Sequence, residues 1–262
     1  MSLVIDSGFN YDADASAYID AVEAADGQAL ETATRYAIND FVIGCKQDGI
    51  WSAIKASCIL AGARTLAGAL KPLVGTAPTN PGNVFVQADY NRKTGLKGNS
   101  STKYLNSNIK ANSLTQNSVH LAAYKGVAET TYKTFIGTVA SPALLIDLIN
   151  IGSSGFRSLL NNNSGSGYDT TVSTSGSGFY GAARLSSSNV LHIADKTIKS
   201  FTYSSAAPNS DDLYVFARNG AGTPQEFSAH RLSFYSIGES LDLALLDARV
   251  TALMSAFAAA IP

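Results

Sequence analysis

Three histidines, two cysteines and scattered acids are the residues from which this 262-residue chain could build chemistry. Their spacing decides against most of it. His120, His192 and His230 lie in separate segments with no second histidine or cysteine close by in sequence, so a zinc site, which takes four such ligands, is not expected. Cys45 and Cys58 are too far apart for a redox pair and too few for a metal. Free cysteine is among the most buried residue types, and both are expected as buried thiols.

Nucleophilic catalysis by serine needs glycines at alternate positions around it on a strand-to-helix turn. Neither Gly152-Ser153-Ser154-Gly155 nor Gly165-Ser166-Gly167 has that context, and both read as flexible turns. Asn10-x-Asp12-x-Asp14 resembles the start of a calcium loop, but Ala15 stands where the loop needs glycine and no bidentate acid follows. Capping of a helix is the better account of those aspartates. Asp211 and Asp212 precede a strand candidate and read as turn acids. A retaining glycosidase needs two carboxylates about 5 Å apart, and no strand candidate carries alternate acids. The expectation is no catalytic residue, no cofactor, no bound metal and no enzyme.

Tyrosine is what the chain offers, with 12 of them among many Asn and Ser. A tyrosine ring can stack on a pyranose face while amides and hydroxyls bond the sugar's hydroxyls. Asn161, Asn163, Tyr168 and Tyr180, near Gly/Ser-rich turns, are the glycan-binding candidates. Half-buried packing at strand edges is the competing account of each tyrosine.

The elements that must position these residues divide the chain by composition. An alanine-rich, helix-patterned front gives way near Pro78 to a Ser/Asn/Gly/Thr/Tyr-rich body, and helical pattern returns at Ser240. A first helix is expected after Asp12 or Asp14, broken at Asp26-Gly27. A second starts near Gln28 with Leu30, Ala33, Ala37, Phe41 and Cys45 along one side. The apolar run from Ser57 through Gly62 reads as a strand entering the β body, and Leu66 to Leu73 as a helical turn. Alternating segments at Ser118–Lys125, Thr130–Val139, Leu144–Ile149, Phe179–Leu185, Asn189–Ala194, Leu213–Ala217 and Arg231–Ile237 are strand candidates. Asn161 to Gly178 reads as a mobile loop or hairpin tip. Ser240 caps a last helix whose Leu243, Leu246, Val250, Leu253 and Phe257 form a seam of about two heptads. That seam packs on the chain's own body or serves a subunit contact.

Many short strands argue a mainly β, two-sheet sandwich or jelly roll. The expected division is a helical segment over 1–56, the sandwich over 57–239 and a C-terminal helix over 240–262. With 19 basic and 20 acidic residues there is no excess for binding nucleic acid. Arg64 and Lys71 interrupt the most apolar stretch, Ala56 to Val74, so no membrane span is expected. The opening Met1-Ser2-Leu3-Val4-Ile5-Asp6 lacks the basic and apolar regions of a secretory signal, which implies synthesis in a cytoplasm.

Three segments carry a resemblance. The first joins Asp14 and Tyr18 with Glu23-Ala24-Ala25-Asp26-Gly27-Gln28-Ala29-Leu30-Glu31, then Asp48-Gly49-Ile50-Trp51 and Ile54-Lys55-Ala56-Ser57-Cys58. The second runs Asp89-Tyr90-Asn91-Arg92-Lys93-Thr94-Gly95-Leu96-Lys97-Gly98-Asn99-Ser100-Ser101-Thr102-Lys103-Tyr104-Leu105. The third is Phe234-Tyr235-Ser236-Ile237-Gly238-Glu239-Ser240-Leu241. Together they resemble virion structural proteins of tailed bacteriophages that carry a concanavalin A-like, laminin-G-like jelly roll.

That resemblance implies a non-enzymatic tail-fibre or capsid-surface protein, located in the virion, that contacts other virion proteins and a host-surface glycan, as a homo-oligomer of trimeric type. The alternatives are a capsid cement protein that binds no glycan and, third, a polysaccharide depolymerase. The resemblance also implies glycine where this chain has Ser100, and it transfers no ligand residue.

Overall fold

The computed structural model describes residues 10–129, 132–140, 144–151, 155–162, 168–169 and 176–262. Met1 to Phe9, Thr130, Asn163 and the serines of both glycine-flanked turns lie outside them.

The front of the chain forms α1 (Ala13–Asp26) and α2 (Thr32–Gln47). The Asp12 side chain caps α1 by accepting from the Asp14 amide at 3.0 Å. Lys46 Nζ then lies 2.6 Å from Asp12 and 2.7 Å from Asp14, so the acids of the calcium-like pattern tie α1 to the end of α2. Gly27 ends α1 at φ 68°, a left-handed conformation that glycine adopts without penalty. α2 starts later than Gln28 because residues 28–31 form a linker. In it the Glu31 carboxylate receives Arg92 at 3.0 and 2.7 Å.

The body follows as β1 (Ile54–Ile59), the single turn α3 (Leu66–Ala69), β2 (Tyr90–Asn91), β3 (Gly95–Lys97), β4 (Leu105–Lys110), β5 (Val119–Lys125), β6 (Tyr132–Ala140), β7 (Leu144–Ile151) and β8 (Phe156–Asn162). It continues with β9 (Tyr168–Asp169), β10 (Gly178–Arg184), β11 (Asn189–Ala194), β12 (Thr197–Thr202), β13 (Asp212–Val215), β14 (Arg218–Gly220), β15 (Thr223–Gln225) and β16 (Arg231–Gly238), before α4 (Leu243–Ala260). The strands make two eight-stranded sheets. The first runs β12-β11-β10-β5-β16-β3-β2, with β1 also on β16. The second runs β15-β14-β6-β7-β8-β9, with β13 joining β4 to β6. The fold is therefore the expected two-sheet sandwich with helices at both ends.

All seven strand candidates form, with bounds shifted by a few residues at most. Of Asn161 to Gly178, read as a loop or hairpin tip, β8 carries the start through Asn162 and β9 pairs Tyr168 with Arg157, while 163–167 and 170–175 lie outside the described residues. Ser100 adopts φ 62°, the left-handed region that explains why glycine is implied at that position.

The helices pack over the first sheet. Phe41 of α2 meets Phe234 of β16 edge-on at 5.8 Å between ring centroids, and α4 rests on α2 and β10. Leu243, Leu246, Val250, Leu253 and Phe257 are all buried within this one chain, so the seam that could have served a trimer is engaged internally. By length and composition α4 could cross a membrane, but that face belongs to the core. Its cap is Asp242, which accepts from the amides of Ala244 and Leu245. Ser240, the expected cap, is held 2.8 Å from the Ser118 hydroxyl instead. Buried apolar residues from Ala15 to Ile261 form one cluster.

Candidate functional site

Along β6 the side chains alternate across the second sheet. Ile136 pairs with Val215 and Leu148, all three fully buried in the core. Its neighbour Gly137 therefore belongs to the opposite, outer face. Three strands bring residues into register with that glycine: Tyr214 from β13, Arg218 from β14 and Asp147 from β7. Gly137 is itself buried and brings no side chain to this cluster.

Asp147 is fully buried, and its Oδ2 lies 3.4 Å from Arg218 Nη1 and 3.6 Å from Arg157 Nη2. Burial pushes its carboxyl up to about 7, against the pull of both guanidiniums. Two polar atoms of this cluster are shielded from solvent without a hydrogen-bond partner, Asp147 Oδ1 and Arg218 Nε. One is an acceptor and the other a donor, and buried groups of either kind are nearly always paired.

Beside them an aromatic cluster sits on the same sheet. The rings of Tyr104 and Tyr214 lie 4.7 Å apart between centroids, and Phe227 meets Tyr104 edge-on at 6.1 Å. Tyr104 and Phe227 are half-buried. Asn106, in register with Tyr214, donates to Asp212 Oδ2 at 2.9 Å, and Lys133 and Glu226 pair at 3.7 Å. The outer face thus combines partly exposed rings with amide, carboxylate and guanidinium groups.

Two of the expected glycan residues, Tyr180 and Asn161, do not reach this face. Tyr180 is 1% exposed and faces the space between the sheets, with Phe135 at 5.6 Å and Phe156 at 5.7 Å. Its ring offers no face to a sugar. Asn161 is also buried; its Nδ2 donates to the Gln116 carbonyl at 2.7 Å and fixes a left-handed residue at φ 52°. Both are corrected to packing roles, because strand alternation and a bulge turn them inward. Asn163 lies outside the described residues, and of Tyr168 only the backbone pairing with Arg157 is described.

The space between the sheets holds further polar groups. His192 Nε2 lies 2.6 Å from Ser158 Oγ, and Arg184, fully buried, donates through Nε to the Leu160 carbonyl at 2.7 Å. Lys125 Nζ donates to the Glu129 carbonyl at 2.8 Å and lies 5.1 Å from the centre of the Tyr180 ring. Burial lowers this lysine to about 8. These contacts cross between strands and sheets and hold the sandwich together. Cys45 and Cys58 are buried, and burial pushes both thiols up to about 12.

Asp147, Arg157 and Arg218 were not singled out from the sequence. A signal did exist: Asp147 is the one charge in Leu144-Leu145-Ile146-Asp147-Leu148-Ile149, and a lone acid in an apolar strand is either partnered or on an exposed face. Nothing in the sequence names its partners, which arrive from strands 10 and 71 positions away.

No protein-family model matches the chain, and no curated protein does. Several solved structures are similar. The mouse laminin α1 chain, domains LG4-5, is 16% identical over 52% of this chain and 39% of its own, at a TM-score of 0.36. Domain 4 of a GH43 extracellular arabinanase from Geobacillus stearothermophilus, in complex with arabinotriose, is 16% identical over 67% of this chain and 81% of its own, at 0.40. A Trypanosoma rangeli sialidase mutant displaying trans-sialidase activity is 11% identical over 84% of this chain and 39% of its own, at 0.47. The chain thus spans about two fifths of the laminin and sialidase chains. These likenesses assign no ligand.

Proposed function

We propose that this chain is a non-enzymatic structural protein of a tailed-bacteriophage virion, displayed on tail or capsid, whose sandwich contacts a host-surface glycan through the outer face of the second sheet. The observation that carries the glycan contact is the pair of half-buried rings, Tyr104 and Phe227, set beside Tyr214 and the partly exposed Arg218 on this face. Rings beside partly exposed hydrogen-bonding side chains are the chemistry that sugars require. The three-segment resemblance supports the virion setting.

A glycan array probed with the purified chain, and repeated with Tyr104→Ala, tests the contact. The variant is expected to bind several-fold more weakly at unchanged fold, and an array without a hit removes the glycan. Mass spectrometry of purified virions that finds no peptide of this chain removes the virion setting. The non-enzymatic reading is supported by the full burial of Asp147, which keeps it from a glycosidic oxygen. Turnover of a host polysaccharide would overturn it. A trimer belongs to the proposal through the resemblance, and a light-scattering mass near 27.3 kDa would remove it.

A second reading, capsid cement, is favoured by one feature: an apolar groove of about 480 Å³ between β10–β12 and the start of α4, lined by Leu185, Leu191, Ile198, Leu241 and Leu243. Leu185 is 42% and Ile198 47% exposed. Electron cryo-microscopy of the particle with this groove seated on a capsid subunit would establish that role.

A further inference from the structure

Three arginines elsewhere in the molecule meet a carboxylate as a fork. Arg35 reaches Glu23 at 2.6 and 2.9 Å, Arg92 reaches Glu31 at 3.0 and 2.7 Å, and Arg249 reaches Asp48 at 2.7 and 2.9 Å. Two parallel N–H bonds to one carboxylate are the geometry for which a guanidinium is pre-organised. Arg218 departs from this pattern. It reaches Asp147 through Nη1 alone, at 3.4 Å, and its Nε donates to nothing.

The fork of Arg218 is therefore half used. Asp147 does not complete it in this conformation: its Oδ2 is shared with Arg157, and its Oδ1 is turned away from hydrogen-bond reach of Arg218 Nε. Glu226, the other acid of this face, is matched to Lys133. The Arg218 Nε is shielded in this conformation, on a side chain that is 17% exposed on the face carrying Tyr214 and Tyr104. A planar anion is its chemical complement.

We propose that the glycan taken by this face carries a carboxylate, as a uronate or sialate unit does, and that this carboxylate docks on the Nε–Nη2 edge of Arg218. The proposal rests on the glycan reading above and narrows it to acidic sugars. Arg218 turns outward by a rotamer change to present the edge, and Arg157 remains as the partner of Asp147. Burial raises the Asp147 carboxyl to about 7, so the nearest negative group is partly protonated at neutral pH.

The test measures binding of the full chain to hyaluronan and polysialate oligosaccharides, to the same oligosaccharides with their carboxyls reduced to alcohols, to dextran and to dextran sulfate. Carboxyl reduction is expected to weaken binding at least tenfold. Arg218→Gln should abolish that difference, and Arg218→Lys should restore only part of it, because lysine keeps the charge but not the fork. Equal binding before and after reduction, or binding to dextran alone, overturns the acidic-sugar proposal and leaves the glycan reading standing. Binding to dextran sulfate that matches the carboxylated probes and survives Arg218→Gln means a nonspecific polyanion, and also overturns it. No binding to any glycan overturns both. The reduced probes act on the unaltered chain, so the result does not depend on the folding of a variant.

Discussion

His120 Nε2 lies 2.7 Å from the Ser236 hydroxyl across the β5–β16 pair, while His120 Nδ1 meets the Glu239 carbonyl at 2.5 Å. The carbonyl can only accept, so Nδ1 carries the proton and Nε2 accepts from Ser236. The neutral ring is fully satisfied. A second proton would force the serine hydroxyl to turn away in a site without solvent.

Burial accordingly lowers His120 to about 4 from 6.5. Between these values the unfolded chain binds the extra proton, so this residue's contribution to stability is present above 6.5 and is lost as pH falls toward 4. Urea melts of the native chain and of His120→Gln should show the native chain losing up to about 3 kcal/mol more than the variant between pH 7 and pH 4. Parallel pH profiles would contradict this.

Asp147 acts in the opposite direction. Its folded carboxyl is raised to about 7 from 3.8, so the folded chain holds the proton in that window and stability falls as pH rises through it. Asp147→Asn removes the slope, and the stability gap between native chain and variant should narrow from pH 4 to pH 8. A gap that widens would mean that the two guanidiniums keep the carboxylate ionised throughout.

Gly62 sits at φ 84°, and a methyl group on it would lie 2.7 Å from the Phe257 ring. That ring is fully buried and cannot withdraw. Gly62→Ala is therefore expected to cost about 2–4 kcal/mol from strain and overpacking together. A melting temperature within a degree of the native value would show that α4 can shift along the sheet.

Both thiols should be inert in the folded chain. Cys45 and Cys58 have no exposed surface, and the thiolate, the reactive form, is suppressed at neutral pH by burial. An aromatic disulfide reagent should titrate neither in buffer and both in guanidinium chloride. Rapid labelling in buffer would reveal local opening at α2 or β1.

The sandwich was legible because its strands are short, alternating and bounded by turn residues. Asn189–Ala194 is readable from residue pattern to the last position. The strands that escape notice lack that alternation. β12, Thr197–Thr202, is largely exposed and polar; β8, Phe156–Asn162, buries residues on both faces, Arg157 and Asn162 included, and so reads as a loop. The candidate site was hidden for a further reason. Tyr214, Arg218 and Asp147 become neighbours only through pairings with Gly137, and register between distant strands is a property of the whole sheet. The tyrosines nearest the Gly/Ser-rich segments are the ones that residue type favours, and Tyr180 is packed in the core.

The helical layer gives the molecule a front and a back. Tyr11, stacked on Tyr36 of α2, and Ile261, buried just past α4, both lie with the helices on the first sheet. A tag, tether or neighbouring subunit joined at either position is thus carried behind the sandwich, while Tyr104, Tyr214 and Arg218 look the other way. Surface immobilisation at Ile261 would leave the face of Tyr104, Tyr214 and Arg218 unobstructed, and many copies anchored alike would present one uniform, multivalent coat.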